Sequence, residues 1–268
     1  MLCNTTWDNR LDIVYPVSGF VVGAIVGLTG VGGGALMTPL LILAFGFSPV
    51  TAVGTDLLYA CITKSAGTLA HLRQGNVDWR TVRWMSAGSL PTAAMTVVAL
   101  HAFLPDTHAI SAVLSVALGC ALLATAAALL LRERIVRHWP RTDTTDRGKS
   151  RNPIVGMVLL GAARGILVTL SSVGAGALGT VALLILFPRM PTTRIVGTDI
   201  AHAVPVTLVA GLGHAALGTV NWTLLASLLV GSIPGIWLGS QAASRVPEAT
   251  LRTILATLLA VAGLRFFV

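Results

Sequence analysis

Gly27 to Leu36 reads GLTGVGGGAL, and Val168 to Thr180 echoes it as VTLSSVGAGALGT. Both are runs of small and polar residues set inside segments otherwise apolar enough to lie in a bilayer. Backbone that leaves helical form at membrane depth persists only where protein or a water-filled cavity satisfies its polar groups. Each break therefore predicts a cavity-lining position, and the pair predicts two halves of one solute-binding site.

The rest of the chain supports a membrane setting. Of its 268 residues, 54% are hydrophobic and only 10% charged, against about 25% charged in soluble domains, and mean hydropathy is +0.83. No single soluble core can hide that much apolar surface. The formal charge of +8 does not indicate nucleic acid, because the basic residues sit in loops beside apolar spans, as the cytoplasmic bias of membrane proteins predicts. Cys3, Cys61 and Cys120 are odd in number and lack CxxC spacing, so neither a disulfide framework nor a thiolate metal site is indicated. The start, MLCNTTWDNRLD, has no basic opening and no cleavage pattern, so no removable signal peptide is expected.

Eight apolar segments follow one another in two sets of four. Leu11 to Phe47 is broken by the glycines; Pro49 to Leu72, Val82 to Leu104 and His108 to Leu131 come next. After the basic stretch Arg132 to Asn152 the order recurs: Pro153 to Phe187, broken near Gly174 and Gly176, then Pro191 to Leu217, Trp222 to Ala243, and Pro247 onward. Gly34 has its counterpart 142 residues later in Gly176, and at an offset of 143 Gly54-Thr55-Asp56 falls on Gly197-Thr198-Asp199. The same offset pairs His71 with His214, Trp79 with Trp222, and Gly88, Ser89 and Pro91 with Gly231, Ser232 and Pro234. This is a duplicated unit of the kind many transporters contain. The expected organisation is a first membrane repeat over 1–131, a basic cytoplasmic linker over 132–152 and a second repeat over 153–268.

Arg and Lys set the orientation. Arg73, Arg80 and Arg83 follow the second segment and the linker holds seven basic residues, whereas HAFLPDTHA has none; in the second half Arg189, Arg194, Arg245 and Arg252 occupy the opposite alternate loops. That swap is what an inverted repeat requires, provided each broken segment returns to the side it entered. Ala175 to Phe187, 13 residues, falls short of the roughly 20 a spanning helix needs, as a hairpin arm would. The predicted fold is an all-α polytopic membrane protein with two inverted repeats, each a Gly-broken helical hairpin followed by three transmembrane helices. The rival is eight full spans in parallel repeats.

The chemistry concentrates at the breaks and at charges within apolar segments. A half-helix beginning at a break offers free N–H groups and a positive dipole end to a small anion. Gly32, Gly33, Gly34, Gly174 and Gly176 allow close approach, and Thr29, Ser171 and Ser172 add hydroxyls; the competing role is tight helix packing. Asp56, Lys64, Arg164 and Asp199 each cost at least about 2.5–3.5 kcal/mol at a bilayer centre, so they face the interior and mark solute or proton routes. For Asp56 and Asp199 a helix-capping role competes with proton relay. Lys64 and Arg164 correspond to Thr207 and Val22 in the other repeat, so they are asymmetric additions suited to attracting an anion, or to pairing with Asp56 and Asp199 for assembly alone. His202, one turn after Asp199, is a candidate proton carrier. His71 and His214 lie near segment ends, where bonding to a turn competes with gating. No metal constellation, catalytic nucleophile, phosphate loop or dinucleotide fingerprint is present, so neither a cofactor nor ATP-driven transport is expected.

The glycine breaks together with GLTGVGGGALMTPLLI, SPVTAVGTDLLYACITKSAGTLAHLRQGNVDWR, TLSSVGAGALGT and RIVGTDIAHAVPVTLVAGLGHAALGTVNW resemble the TauE/SafE sulfite-exporter family of bacterial permeases, over both halves outside the linker and N-terminus. The resemblance implies a multi-pass protein of the bacterial inner membrane. It would move a small sulfur-containing anion, such as sulfite, thiosulfate or an organosulfonate, usually outward and without ATP. Proton coupling and rocking of one repeat against the other are the expected means, and a homodimer stays open. Another small organic or inorganic anion remains an alternative substrate, and a channel or receptor without active transport an alternative function.

Overall fold

The computed structural model describes residues 13–29, 34–103, 106–138, 153–174, 176–242 and 248–267, among which every regular element is helical. The first five are α1 (Val14–Thr29), α2 (Gly34–Leu43), α3 (Pro49–Arg73), α4 (Trp79–Phe103) and α5 (Thr107–His138). The second five are α6 (Pro153–Ser171), α7 (Ala177–Leu186), α8 (Thr192–Ala216), α9 (Trp222–Ala242) and α10 (Glu248–Arg265). The two sets correspond one to one, α1 with α6 through α5 with α10. Segments of α5, α6, α8 and α9 are each long and apolar enough to cross a membrane. α5 continues past Leu131 to His138, so the head of the basic stretch is helical; residues 139–152 lie outside the described residues.

Both broken segments fold back. Tyr15, at the start of α1, meets Phe45 edge-on just past the end of α2, with ring centroids 5.3 Å apart, and Phe47 at 6.1 Å. In the second repeat Ile154 and Met157, at the start of α6, share an apolar cluster with Leu186 and Phe187 at the end of α7. The two ends of each pair of helices therefore lie together, as a hairpin requires. The returning arms α2 and α7, 10 residues each, reach only about 15 Å, half the hydrocarbon thickness.

α3 and α8 lie side by side and run antiparallel. The start of α3 touches the end of α8: a Cβ at Gly54 would stand 3.2 Å from His214 Cβ, and Thr55 Oγ1 accepts from Asn221 N at 3.1 Å. The start of α8 touches the end of α3 in the same way, with Gly197 against His71 and Thr198 Oγ1 accepting from Asp78 N at 2.9 Å. Equivalent helices of a parallel repeat would run the same way; this pairing is what inversion requires. The turns after α3 and α8 are built alike. Gly75 and Gly218 hold φ of +69° and +71°, a conformation open to glycine at little cost, and Asn221 Oδ1 caps α9 by accepting from Leu224 N at 3.0 Å.

Packing crosses between the repeats. Gly19, Gly23 and Gly27 of α1 lie on the backbone of Leu228, Ser232 and Ile236 in α9, while Gly231, Gly235 and Gly239 of α9 lie on Pro16, Phe20 and Ala24. α6 docks on α4 equivalently, Gly161 against Met85 and Gly165 against Ser89. Small residues let membrane helices approach closely, where van der Waals contact replaces the missing hydrophobic drive. The outward faces stay apolar, with Met95, Val98, Val230 and Trp237 exposed for lipid.

Replacing Gly23 by Leu forces a side chain into the backbone of Ser232 and should destabilise by about 1–3 kcal/mol or more. Gly67→Ala, with only Ile200 Cγ2 at 3.6 Å, should gain roughly 0.5–1 kcal/mol by stiffening the helix. Thermal unfolding in detergent reads both. Inversion itself is checked by single cysteines in a cysteine-free background. Those at Gln74 and Arg189 should label from one face of the membrane, and those at Asp106 and Ala216 from the other.

Candidate anion site at the crossing of the repeats

The site is built on the antiparallel pair. Asp56 on α3 and Asp199 on α8 are both buried, 0% and 1% exposed. Each lies about two turns inside its helix, where the backbone N–H groups are already used, so neither is a helix cap; the capping alternative falls. Instead each receives a hydroxyl from a returning arm. Thr38 of α2 donates to Asp56 Oδ2, and Thr180 of α7 donates to Asp199 Oδ2 at 3.4 Å. A buried carboxylate in a membrane protein thus holds each short arm in place.

A second symmetric pair sits one turn further on. Tyr59 and His202, 143 residues apart, face Ser232 and Ser89, also 143 apart. His202 Nε2 lies 2.9 Å from Ser89 Oγ, and the Tyr59 hydroxyl is directed at Ser232. Of these, Tyr59, Ser89 and Ser232, like Thr38 and Thr180, escape a search for charge and glycine, whereas His202 is a candidate from the sequence. The offset of 143 pairs Tyr59 with His202 and Ser89 with Ser232, and the offset of 142 pairs Thr38 with Thr180.

Charge breaks the symmetry. Arg164 on α6, 4% exposed, places Nη1 2.6 Å from Asp199 Oδ1, off the axis of its N–H bonds, so its guanidinium nitrogens have no well-directed hydrogen bond. A Cβ on Gly179 would collide with this pair, and glycine there admits it. Lys64, 5% exposed, lies within electrostatic reach of Asp199, Arg164 and Asp56. Ser172 brings a buried hydroxyl from the second break to the Asp56 carboxyl.

The break is shaped by its neighbours. Ser172 has φ +56° and Gly174 φ +102°, and Ser171 Oγ is used locally, donating to Leu167 O at 2.7 Å and accepting from Val173 N at 3.2 Å. Ser171 and Gly174 therefore form the turn, Gly176 precedes α7 with no side-chain cap, and Ser172 presents the free hydroxyl. Gly32, Gly33 and the side chain of Thr29 lie outside the described residues; Gly34 opens α2. His214 is committed to architecture, with Nδ1 3.2 Å from Thr219 Oγ1 and Nε2 3.3 Å from Thr169 O. His71 is half-buried beside Gly197, away from the central cluster.

The structure thus brings together Asp56, Lys64, Arg164, Ser172, Asp199 and His202. Asp56 Oδ1, Tyr59 OH, Ser172 Oγ, His202 Nδ1 and the Arg164 nitrogens are buried without a hydrogen bond. Buried polar groups in folded proteins are nearly always satisfied, and most of these are donors, which a small oxyanion would accept from. Among the described residues no group of His, Cys, Asp and Glu has the geometry of a metal site.

Lipid-facing helices around an incompletely satisfied polar centre define the class, a multi-pass membrane transporter. The chain belongs to the sulfite exporter TauE/SafE family, whose model matches residues 15–266. It is 39% identical over 247 residues to the probable membrane transporter protein YjnA of Bacillus subtilis, covering 92% of this chain and 96% of that protein. A probable membrane transporter protein of Xylella fastidiosa is 31% identical over 234 residues, covering 85% and 84%. YdhB, a further probable membrane transporter protein of Bacillus subtilis, is 26% identical over 247 residues, covering 91% and 96%. No solved structure matches the chain.

Removing one member of the buried pair should be costly. Arg164→Met leaves Asp199 uncompensated and is expected to lose about 3–5 kcal/mol, much of which Arg164→Met with Asp199→Leu recovers. Thermal unfolding measures this, and transport assays on the double variant separate two roles. A pair serving assembly alone regains transport with stability, whereas a site residue does not.

Proposed function

We infer that the chain is a secondary transporter that exports a small sulfur-containing anion, such as sulfite, thiosulfate or an organosulfonate, with proton coupling and by alternating access. The observation that carries this reading is the set of buried polar groups on Arg164, His202, Ser172 and Tyr59 that retain atoms without a well-directed hydrogen bond beside the Lys64 ammonium, even though Arg164 is ion-paired with Asp199 and His202 Nε2 lies at Ser89. They converge where α3 and α8 cross and the second hairpin breaks. The family's name supplies the sulfur chemistry. Arg164 and Lys64 provide charge, Ser172 and Tyr59 provide hydroxyls, and buried acids beside them provide proton acceptors.

The crossed seams bear on how such a site would open. Separating one repeat from the other would tear α1 from α9 and α6 from α4, both joined through backbone contacts at glycine. The moving bodies in this reading therefore mix the repeats: each hairpin travels with the fourth helix of its partner repeat. The site between them would open to one side and then the other.

Reconstitution into proteoliposomes tests the function. Labelled thiosulfate should accumulate against its gradient when a proton gradient is imposed; a channel would only equilibrate it, and a receptor would bind it without flux. Lys64→Ala should lower thiosulfate uptake by roughly 10- to 100-fold, the loss of one charge-assisted interaction of about 1.5–3 kcal/mol, while folded yield falls far less. Unchanged uptake would remove Lys64 from the site.

A further inference from the structure

The two buried acids are repeat equivalents with the same hydroxyl support, yet their fourth neighbours differ. Asp199 Oδ1 meets the Arg164 guanidinium at 2.6 Å. At the position equivalent to Arg164, 142 residues earlier, stands Val22, buried in the apolar cluster that contains Tyr59. Neither Asp56 Oδ1 nor Asp199 Oδ1 has a well-directed hydrogen bond, but Asp199 Oδ1 has the guanidinium against it, whereas Asp56 Oδ1 has the Ser172 hydroxyl, itself without a hydrogen bond, brought to its carboxyl from the other repeat. The counterpart of Ser172 is Gly30. Ser172 holds φ +56°, a conformation that disfavours a side chain, so a hydroxyl is kept where the repeat pattern offers glycine.

The surroundings of Asp56 are otherwise simple. Tyr59 and Lys64 share its helix; α2 brings Thr38 and α9 Ser232, neither titratable; α8 carries Asp199 and His202, and α6 carries Arg164, grouped around the opposite carboxylate. Lys64 is the charge whose field reaches both acids among the described residues.

We propose that Asp56, rather than Asp199, takes up the coupling proton, and that Arg164 supplies to the second repeat the positive charge that this proton supplies to the first. The inference rests on the reading of the chain as a proton-coupled anion transporter. With the proton on Oδ1, the new O–H donates to Ser172 Oγ while Thr38 continues to donate to Oδ2, and every polar atom of the carboxyl is satisfied. The carboxyl loses its negative charge in the same step. Lys64 then has one counter-charge fewer, and the arriving anion replaces it. One proton is taken up for each anion bound, and the anion leaves when Asp56 ionises again.

Infrared difference spectroscopy on the purified full chain at neutral pH reads the proton directly, through the carbonyl stretch of a protonated buried carboxyl. The band should be present in the native chain, lost in Asp56→Asn and retained in Asp199→Asn. It should also be lost in Val22→Arg, where an added guanidinium holds Asp56 ionised. A band that survives Asp56→Asn, or disappears only in Asp199→Asn, overturns the assignment. If Val22→Arg does not fold, the comparison of the two asparagine variants still decides.

Proteoliposomes with a trapped pH dye provide the second readout. Thiosulfate carries no proton of its own near neutrality, so lumenal acidification during inward thiosulfate movement reports the coupled proton. In Asp56→Asn the acidification per thiosulfate should fall to the protein-free level. Sodium-dependent thiosulfate movement without acidification by the native chain would make sodium the coupling ion and overturn the proposal. If the native chain moves no thiosulfate but the band behaves as stated, the anion reading fails and the proton site stands. If native flux acidifies the lumen but the band ignores Asp56, the transport reading stands and the assignment falls.

Discussion

Two carboxylates buried within a membrane protein, one on each of two antiparallel helices, set the terms for the rest of the fold. A charge removed from water must find partners or become neutral, and Asp56 and Asp199 find theirs on elements distant in sequence. Each recruits a threonine from a short arm that could not span a bilayer alone. The arms can stop halfway because something polar receives them there. Without the carboxylates, the hairpins would lose the anchor that holds their tips at the centre.

The crossing helices and the breaks were legible because membrane chemistry leaves few ways to write them. Glycine runs inside apolar segments, a repeated GTD motif and alternating basic loops predicted hairpins and inversion, and Tyr15 against Phe45 is the contact such a hairpin needs. The buried charges were legible for the same reason. What the sequence did not disclose was partner choice. Capping was a fair expectation for an aspartate two residues after a glycine, but the helices begin further upstream, at Pro49 and Thr192. Thr38, Thr180, Tyr59, Ser89 and Ser232 look unremarkable one at a time, since a threonine or serine in an apolar helix usually bonds its own backbone. Only contact across helices gives them meaning.

Within a symmetric frame, function is carried by departures from symmetry. The arm threonines and the seam glycines Gly19 with Gly161, Gly23 with Gly165 and Gly88 with Gly231 come in pairs and serve architecture, and the paired acids anchor the arms as well. Arg164, Lys64 and Ser172 have no like counterpart, and His202 is matched by a tyrosine; these lie together at the centre. A duplicated protein can divide labour in this way, one copy keeping its fixed cation while the other keeps a group free to change state.

The crossed glycine seams also say something about ancestry. A five-helix unit alone would have a hairpin with no fourth helix to lean on, because in this fold that helix belongs to the other unit and stands the opposite way up. Such a unit could be completed only by a second copy inserted upside down, each lending its hairpin to its neighbour. Fusion of two such units would join in one polypeptide what would otherwise need two separate molecules of opposite orientation.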